Sequence, residues 1–170
     1  EKHIEQTLSS IVNQKTSFDY EIVIGDDAST DKTVEVIKSF KKNSPKQIHF
    51  QQNQENLGML HNFYKTLLRC KGDYVFDIAG DDWLHRTDAL EIMVKNIKLD
   101  SDYSFIDSGY DVYYEKKDKT NRFYNKKLIH SDRGEYLERC IIRGFPNIGC
   151  CYNRQKLMQY VDFKKYIELR

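Results

Sequence analysis

Ile4, Leu8, Ile11 and Val12 recur at helical spacing, so residues 3–14 are expected to form an amphipathic helix. Tyr20 to Gly25 is a β-rich run that ends in glycine and reads as a strand. A polar turn, Asp26 to Asp31, follows; Ser29 or Thr30 stands where it can cap a helix carrying Val34, Ile37 and Phe40. Gln47 to Gln51 predicts a second strand and Asn53 to Asn56 a loop, after which Leu60, Phe63, Tyr64, Leu67 and Leu68 mark another helix. Lys71-Gly72-Asp73 breaks that helix, Tyr74 to Ala79 predicts a third strand, and Gly80-Asp81-Asp82-Trp83 lies at its end. Thr87 or Asp88 opens a helix whose one face holds Leu90, Met93, Val94 and Ile97, and Tyr103 to Ser108 predicts a fourth strand. Residues 110–130 are rich in Tyr and Lys, carry a turn signal at Lys117 to Asn121, and predict a β-hairpin. A helix near 133–142, a short strand around Gly149 to Tyr152 and a helix from Asn153 complete the pattern.

Strands that alternate with helices over the first hundred residues imply βαβ units. The expected fold is α/β, a mostly parallel sheet flanked by helices, in one domain spanning residues 1–170. Composition narrows the partners. A net charge of +1, from 27 basic and 26 acidic residues, lacks the basic excess of a nucleic-acid binder. No apolar run approaches the roughly 20 residues of a membrane span, and no signal peptide is visible. The chain opens on Glu1 rather than Met, inside an apparent helix, and is therefore read as truncated. Cys70, Cys140, Cys150 and Cys151 include no C-x-x-C pair, which argues against a structural zinc site. They read as small, partly buried thiols in a reducing cytoplasm.

The chemistry concentrates at two paired aspartates, Asp26-Asp27 and Asp81-Asp82, each directly after a strand. In open α/β sheets ligands bind outside the carboxyl ends of the strands. One Asp-Asp pair is commonly a solvated turn or a helix cap; its recurrence after two apolar strands turns the reading toward a site. Four carboxylates on one sheet edge would repel one another. A divalent cation with hard oxygen ligands, Mg2+ or Mn2+, is the simplest relief. Such an ion can stabilise a departing diphosphate.

Several segments, in order, resemble glycosyltransferase family 2. Gly25 to Thr33 looks like that family's strand ending in D-D-x-S-x-D-x-T. Glu5-Gln6-Thr7-Leu8, Ser10-Ile11 and Gln14 are similar to its first helix, and Asn56-Leu57-Gly58 with Asn62 to its N-x-G segment. Gly72-Asp73-Tyr74 and Gly80-Asp81-Asp82-Trp83 resemble the strand and metal motif of the variant found in bacterial surface-polysaccharide enzymes. The resemblance implies a Rossmann-like nucleotide-diphospho-sugar transferase fold, with residues 1–108 as the nucleotide-sugar-binding half and 109–170 as the start of the acceptor half. It implies inverting transfer from a nucleotide-diphospho-sugar, a UDP-sugar, to the hydroxyl of a saccharide or lipid-linked saccharide acceptor. By position, Asp27 would accept the uracil imide N–H, Asp26 would shape the turn, Asp81 would lie near the ribose or the metal, and Asp82 would contact the metal. Cytoplasmic location, peripheral membrane association at the inner face and a homodimer accompany these partner expectations.

The sequence also departs from the family pattern. Ala79 stands where the commoner D-x-D-D motif has its first Asp, and Asp77 occupies a normally apolar place, read as a buried, hydrogen-bonded carboxyl. The family's first strand would precede Glu1, and its general base is expected beyond Arg170; Glu168 does not fit the spacing. His61, His85 and His130 are too scattered to suggest a ligand set. Trp83 reads equally as an aromatic wall for a sugar or as a core anchor, and Asn147 is assigned to the acceptor pocket. Two other functions stay open: a nucleotidyltransferase that makes nucleotide sugars, although no Gly-rich phosphate loop is present, and a non-catalytic nucleotide-sugar-binding module.

Overall fold

A computed structural model describes residues 1–123 and 148–168. Its helices are α1 (Ile4–Val12), α2 (Thr33–Asn43), α3 (Met59–Leu67), α4 (Ala89–Ile97), α5 (Arg154–Tyr160) and α6 (Phe163–Glu168). Its strands are β1 (Ile22–Asp26), β2 (Ile48–Gln52), β3 (Tyr74–Ile78), β4 (Phe105–Ile106), β5 (Tyr110–Tyr114), β6 (Lys119–Phe123) and β7 (Ile148–Asn153). The apolar periodicities predicted each of these except α6. The helix expected near 133–142, together with Cys140, His130 and Asn147, lies outside the described residues.

Strand alternation sorts the core into two faces. On β7, Cys150 and Tyr152 join Leu67 of α3, Leu157 of α5 and Phe163 of α6 in one cluster. Cys151, between them, turns to the other face and meets Met93 and Ile97 of α4 with Tyr74 and Phe76 of β3. Ile4 and Leu8 of α1 pack with Ile37 of α2 against Ile24 and Phe50. The result is a helix–sheet–helix α/β arrangement, with α3, α5 and α6 on one face and α1, α2 and α4 on the other.

The strand pairing is mixed. β1 and β2 pair in parallel, Ile22 opposite Ile48. β7 runs antiparallel between β3 and β4, with Val75 opposite Tyr152 and Phe105 opposite the same tyrosine. β3 and β4 therefore run alike, and β7 is the reversed member of an otherwise one-way set. β5 and β6 form the expected hairpin, closed by a tight turn in which Asp118 adopts a left-handed φ of 44°.

β1 and β3 do not pair. Between them run two adjoining cavities of about 420 and 640 Å3 that share Ile11, Val23, Phe63, Thr66, Asp77 and Ile78 in their walls. Helix α1 closes one side of this slot and α3 the other. The edge of β1 toward β2 is occupied: Ile22 N–H donates to Gln47 O at 3.2 Å, and Asp26 O accepts from Asn53 N–H at 2.8 Å. Since backbone groups alternate sides along a strand, those of Val23 and Gly25 face the slot. Asn153 N–H donates to Ser104 beside β4, and Arg154 N–H to Asp73 O. That alternation directs Val75 and Asp77 toward β7, and leaves the backbone groups of Tyr74 and Phe76 facing the slot, up to the register shift between Asp77 and Ile78.

Candidate functional site: two acidic turns at one end of the sheet

The first turn is built around two aspartates with different tasks. Asp26 is buried, 6% exposed, and its Oδ1 accepts from Ser29 N–H at 3.0 Å. Ala28, with a left-handed φ of 61°, lets the chain double back for that bond. Asp27 points to the loop before α3. Its Oδ1 accepts from Leu57 N–H at 2.8 Å and from the Asn53 amide at 3.0 Å, and its Oδ2 accepts from Gly58 N–H at 2.8 Å. Gly58 has φ 82° and ψ 158°, a conformation essentially confined to glycine, which is what aims its N–H at the carboxylate. Partial burial pushes the Asp27 carboxyl up, but the Leu57 N–H, the Asn53 amide, the Gly58 N–H and nearby His61 outweigh it, and the net shift is downward. Asp27 is therefore an ionised acceptor at neutral pH. A carboxylate offers about four acceptor directions; the three bonds named leave one for an incoming N–H.

Asn53 is the hub beneath it, 8% exposed. Its amide also donates to Asn62 Oδ1 at 2.9 Å, and its Oδ1 accepts from Lys65 Nζ at 2.9 Å. Asn62 in turn donates to Gly25 O at 3.0 Å. A Cβ on Gly25 would lie 1.9 Å from Thr66 Oγ1, so glycine is what allows α3 to approach β1 this closely. Asn53 and Lys65 were not singled out by the sequence. The usable signal was the i, i+3, i+4 run Asn62, Lys65, Thr66 on the α3 face toward β1.

The second turn hangs from α1. Thr7 Oγ1 donates to Gly80 O at 3.0 Å, Leu84 N–H donates to Ser10 Oγ at 3.0 Å, and Gln14 Nε2 donates to Arg86 O at 2.6 Å. Thr7 and Ser10 of α1 and Gln14 just past its end fall three and four residues apart, one polar stripe beside the helix's apolar face. Asp81 is exposed and Asp82 half-buried, with Asp82 N–H closing the turn onto Ala79 O at 3.2 Å. Burial, and then the neighbouring Asp81 charge, push the Asp82 carboxyl up from its ordinary value. Trp83 is half-buried and meets Tyr113 of β5 edge-on, with ring centroids 6.4 Å apart.

The first turn and the backbone leading into the second border one cavity, while Asp81, Asp82 and Trp83 do not line it. The 640 Å3 space is lined by Asp26, Asp27 and Ser29 from the first and by Ala79 and Gly80 from the second. Among the described residues, no three His, Cys, Asp or Glu side chains cluster closely enough to hold a metal. Asp81 and Asp82 are adjacent in the chain and would offer two carboxylates at most. That fits a Mg2+- or Mn2+-type ion, which is commonly held by one or two carboxylates together with substrate phosphate oxygens. Among the described cysteines, burial pushes the Cys70 thiol up to about 11 and the Cys151 thiol up to about 12, so neither offers a thiolate at neutral pH.

One expectation at the turns is corrected. Neither Ser29 nor Thr30 caps α2; Thr33 N–H donates instead to Asp31 Oδ1 at 3.0 Å. Helix α4 starts after Asp88, as expected, but the Asp88 side chain is held by Arg86 at 2.8 Å and Gln14 Oε1 takes the Leu90 N–H at 3.1 Å. Among the described residues, no helix is long and apolar enough to cross a membrane.

The comparisons with known proteins agree on the fold. The mannosyltransferase of Pyrobaculum calidifontis, solved with GDP-Man and Mn2+, superposes with a TM-score of 0.65 at 19% identity, over 92% of this chain and 42% of its own. S. aureus TarS in complex with UDP-GlcNAc superposes with a TM-score of 0.60 at 19% identity, over 94% of this chain and 44% of its own. In sequence, the abequosyltransferase RfbV of Salmonella typhimurium is 32% identical over 95% of this chain, which spans about half (52%) of that enzyme. The description Glycosyl transferase family 2 matches residues 1–164, and the chain belongs to that family.

Proposed function

We propose that this protein binds a nucleotide-diphospho-sugar, a UDP-sugar, across the two acidic turns and transfers the sugar with inversion to an acceptor hydroxyl. The observation that carries the reading is Asp27: an ionised carboxylate held by two backbone N–H groups, with an acceptor direction left for the imide N–H of uracil. Asp26 sets the turn that presents it. Asp82, with Asp81, would hold a divalent ion, and that ion supplies charge stabilisation to the diphosphate. Asp81 borders the ribose, and Trp83 and Asn147 belong to the acceptor side. In the transfer, the acceptor oxygen bonds to the anomeric carbon as the bond to the diphosphate oxygen breaks, and the acceptor proton passes to a base. No residue of this chain is assigned that role.

The acceptor is a saccharide or lipid-linked saccharide of a bacterial surface polysaccharide. The family match and the similarity to an abequosyltransferase support this reading. The cytoplasmic face of the membrane, reached by peripheral association, is the expected place of action.

Calorimetry of UDP binding with and without Mn2+ tests the roles. Loss of a hydrogen bond to a charged group costs about 1.5–3 kcal/mol, roughly 10- to 100-fold in affinity. Asp27→Ala is expected to weaken UDP by that factor in either condition. Asp82→Asn is expected to weaken it only when Mn2+ is present. Unchanged affinity in both variants would refute the assignment. A thermal-shift panel of UDP-, GDP- and dTDP-sugars then selects the donor, UDP-sugars being expected to stabilise most.

A further inference from the structure

The hairpin β5–β6 approaches the second acidic turn, and its exposed aromatics stand out there. Tyr113 is 43% exposed, yet its ring meets Trp83, the residue directly after Asp82. Its hydroxyl donates to Asp118 Oδ1 across the hairpin turn at 3.0 Å, which fixes the ring's direction. Glu115, in the same turn, pairs with Lys2 Nζ and lies 3.6 Å from His3 Nε2, so the hairpin leans on the start of α1. Exposed ion pairs of this kind orient more than they stabilise. The interplanar angle of 73° matters most. In an edge-on pair the edge of one ring meets one face of the other, so three of the four ring faces are not covered by the pair itself.

We propose that Trp83 and Tyr113 form an aromatic platform that receives a pyranose ring beside Asp81 and Asp82. The C–H-rich face of a pyranose is apolar and packs on an aromatic face, while its rim of hydroxyls needs polar partners. The Asp81-Asp82 turn supplies such partners directly beside Trp83. Tyr113 is as exposed as its hairpin neighbours Tyr110 and Tyr114, but of the three it is the one whose ring meets Trp83. The platform rests on the nucleotide-sugar reading for its place in catalysis, but not for its chemistry. The ring it holds is expected to be the acceptor's, in line with the place proposed for Trp83, and the donor's hexose is the outcome the test sets against it.

Trp83 is the one tryptophan in the sequence, so intrinsic tryptophan emission reports on the platform alone. Emission is followed while UDP, UDP-glucose or UDP-galactose is added with Mn2+. In a second arm, methyl glucosides, galactosides and mannosides are added to the UDP–Mn2+ complex. A saturable change seen with a UDP-sugar beyond that with UDP assigns the donor's ring; one seen with a glycoside assigns the acceptor's. Tyr113→Ala is expected to weaken the response roughly 3- to 10-fold, the size of an aromatic contact, with calorimetric UDP affinity unchanged. Tyr113→Phe keeps the ring, loses the Asp118 bond and should retain most of the response. UDP bound normally with no saturable emission change in either arm overturns the platform, as does a Tyr113→Ala variant that responds like the wild type. If UDP fails to bind while a glycoside still gives a saturable signal, the platform stands and the nucleotide reading falls.

Discussion

Asp77 shows how one side chain can set a pH dependence. It lies on β3 with its carboxyl enclosed in the slot, where burial pushes it up to about 6 against the lowering effect of the Ile78 N–H. Some access remains to it through the cavity, so the charge is penalised but not excluded. An unfolded Asp titrates near 3.9, so between about pH 4 and 6 the folded protein binds more proton than the unfolded chain. Its stability contribution is therefore complete below about pH 4 and is lost as pH rises through about 6. The rise from near 4 to about 6 corresponds to about 3 kcal/mol at most. Asp77→Asn should accordingly raise the midpoint of urea unfolding at pH 8, with the gain shrinking to nothing near pH 4. A gain independent of pH would show that the carboxyl is not the cause. At this scale the sequence was partly legible. Asp77 was conspicuous as a carboxyl in an apolar strand, and Asp26 and Asp27 by their position after one. Asn53 and Lys65 were not, because their importance lies in a contact between a loop and a helix 12 residues apart, which no local pattern encodes.

Among the elements, α1 does the joining. Its apolar face packs with α2, while its stripe of Thr7, Ser10 and Gln14 holds the second acidic turn and the start of α4. The helices and strands were readable because apolar periods of 3.6 and 2 follow from backbone geometry alone. Their caps were not, since α2 and α4 begin without the local side-chain cap that a Ser, Thr or Asp signal implies. For α4 the substitute comes from 76 residues away, as Gln14 Oε1 accepts the Leu90 N–H. Gln14 is 6% exposed, so removing its amide leaves buried donors and acceptors unmet. Gln14→Leu is expected to cost about 1–3 kcal/mol in chemical denaturation. It should also speed amide exchange in the first turn of α4 more than in α2. Equal effects on both helices would mean that the amide serves general packing and not the joint.

For the whole molecule, the decisive feature is the slot between β1 and β3. The alternation of strands and helices anticipated the layered α/β arrangement, but not that β7 would run antiparallel between β3 and β4. A period-two pattern is the same in either direction, and the partners of β7 lie 70 to 79 residues away on β3 and 45 to 47 away on β4. The slot has two strand edges as walls and helices above and below, with Phe63, Thr66 and Ile11 in its lining. Unpaired edges of this kind are costly when enclosed and are met by another strand or by water. Amide exchange should therefore alternate along β1, faster at Val23 and Gly25 than at Ile22, Ile24 and Asp26, and on β3 faster at Tyr74 and Phe76 than at Val75 and Asp77. Joining a strand of the type Ile-Ile-Val-Pro ahead of Glu1 would carry a chain directly into α1, whose first turn borders the slot through Ile4. In register it would pair with both edges and merge the two sheets. The expected result is strong protection of the four slot-facing amides. The melting temperature should rise by at least 5 °C or so, which for a domain of this size reflects about 2 kcal/mol. Exchange that is uniform along β1, or slot-facing amides that ignore the added strand, would refute this reading. If instead the amides become protected, the two acidic turns at the carboxyl ends of β1 and β3 become neighbours on a single continuous sheet. The distance between Asp27 and Asp82 is then set by strand spacing and no longer by the packing of α1 alone.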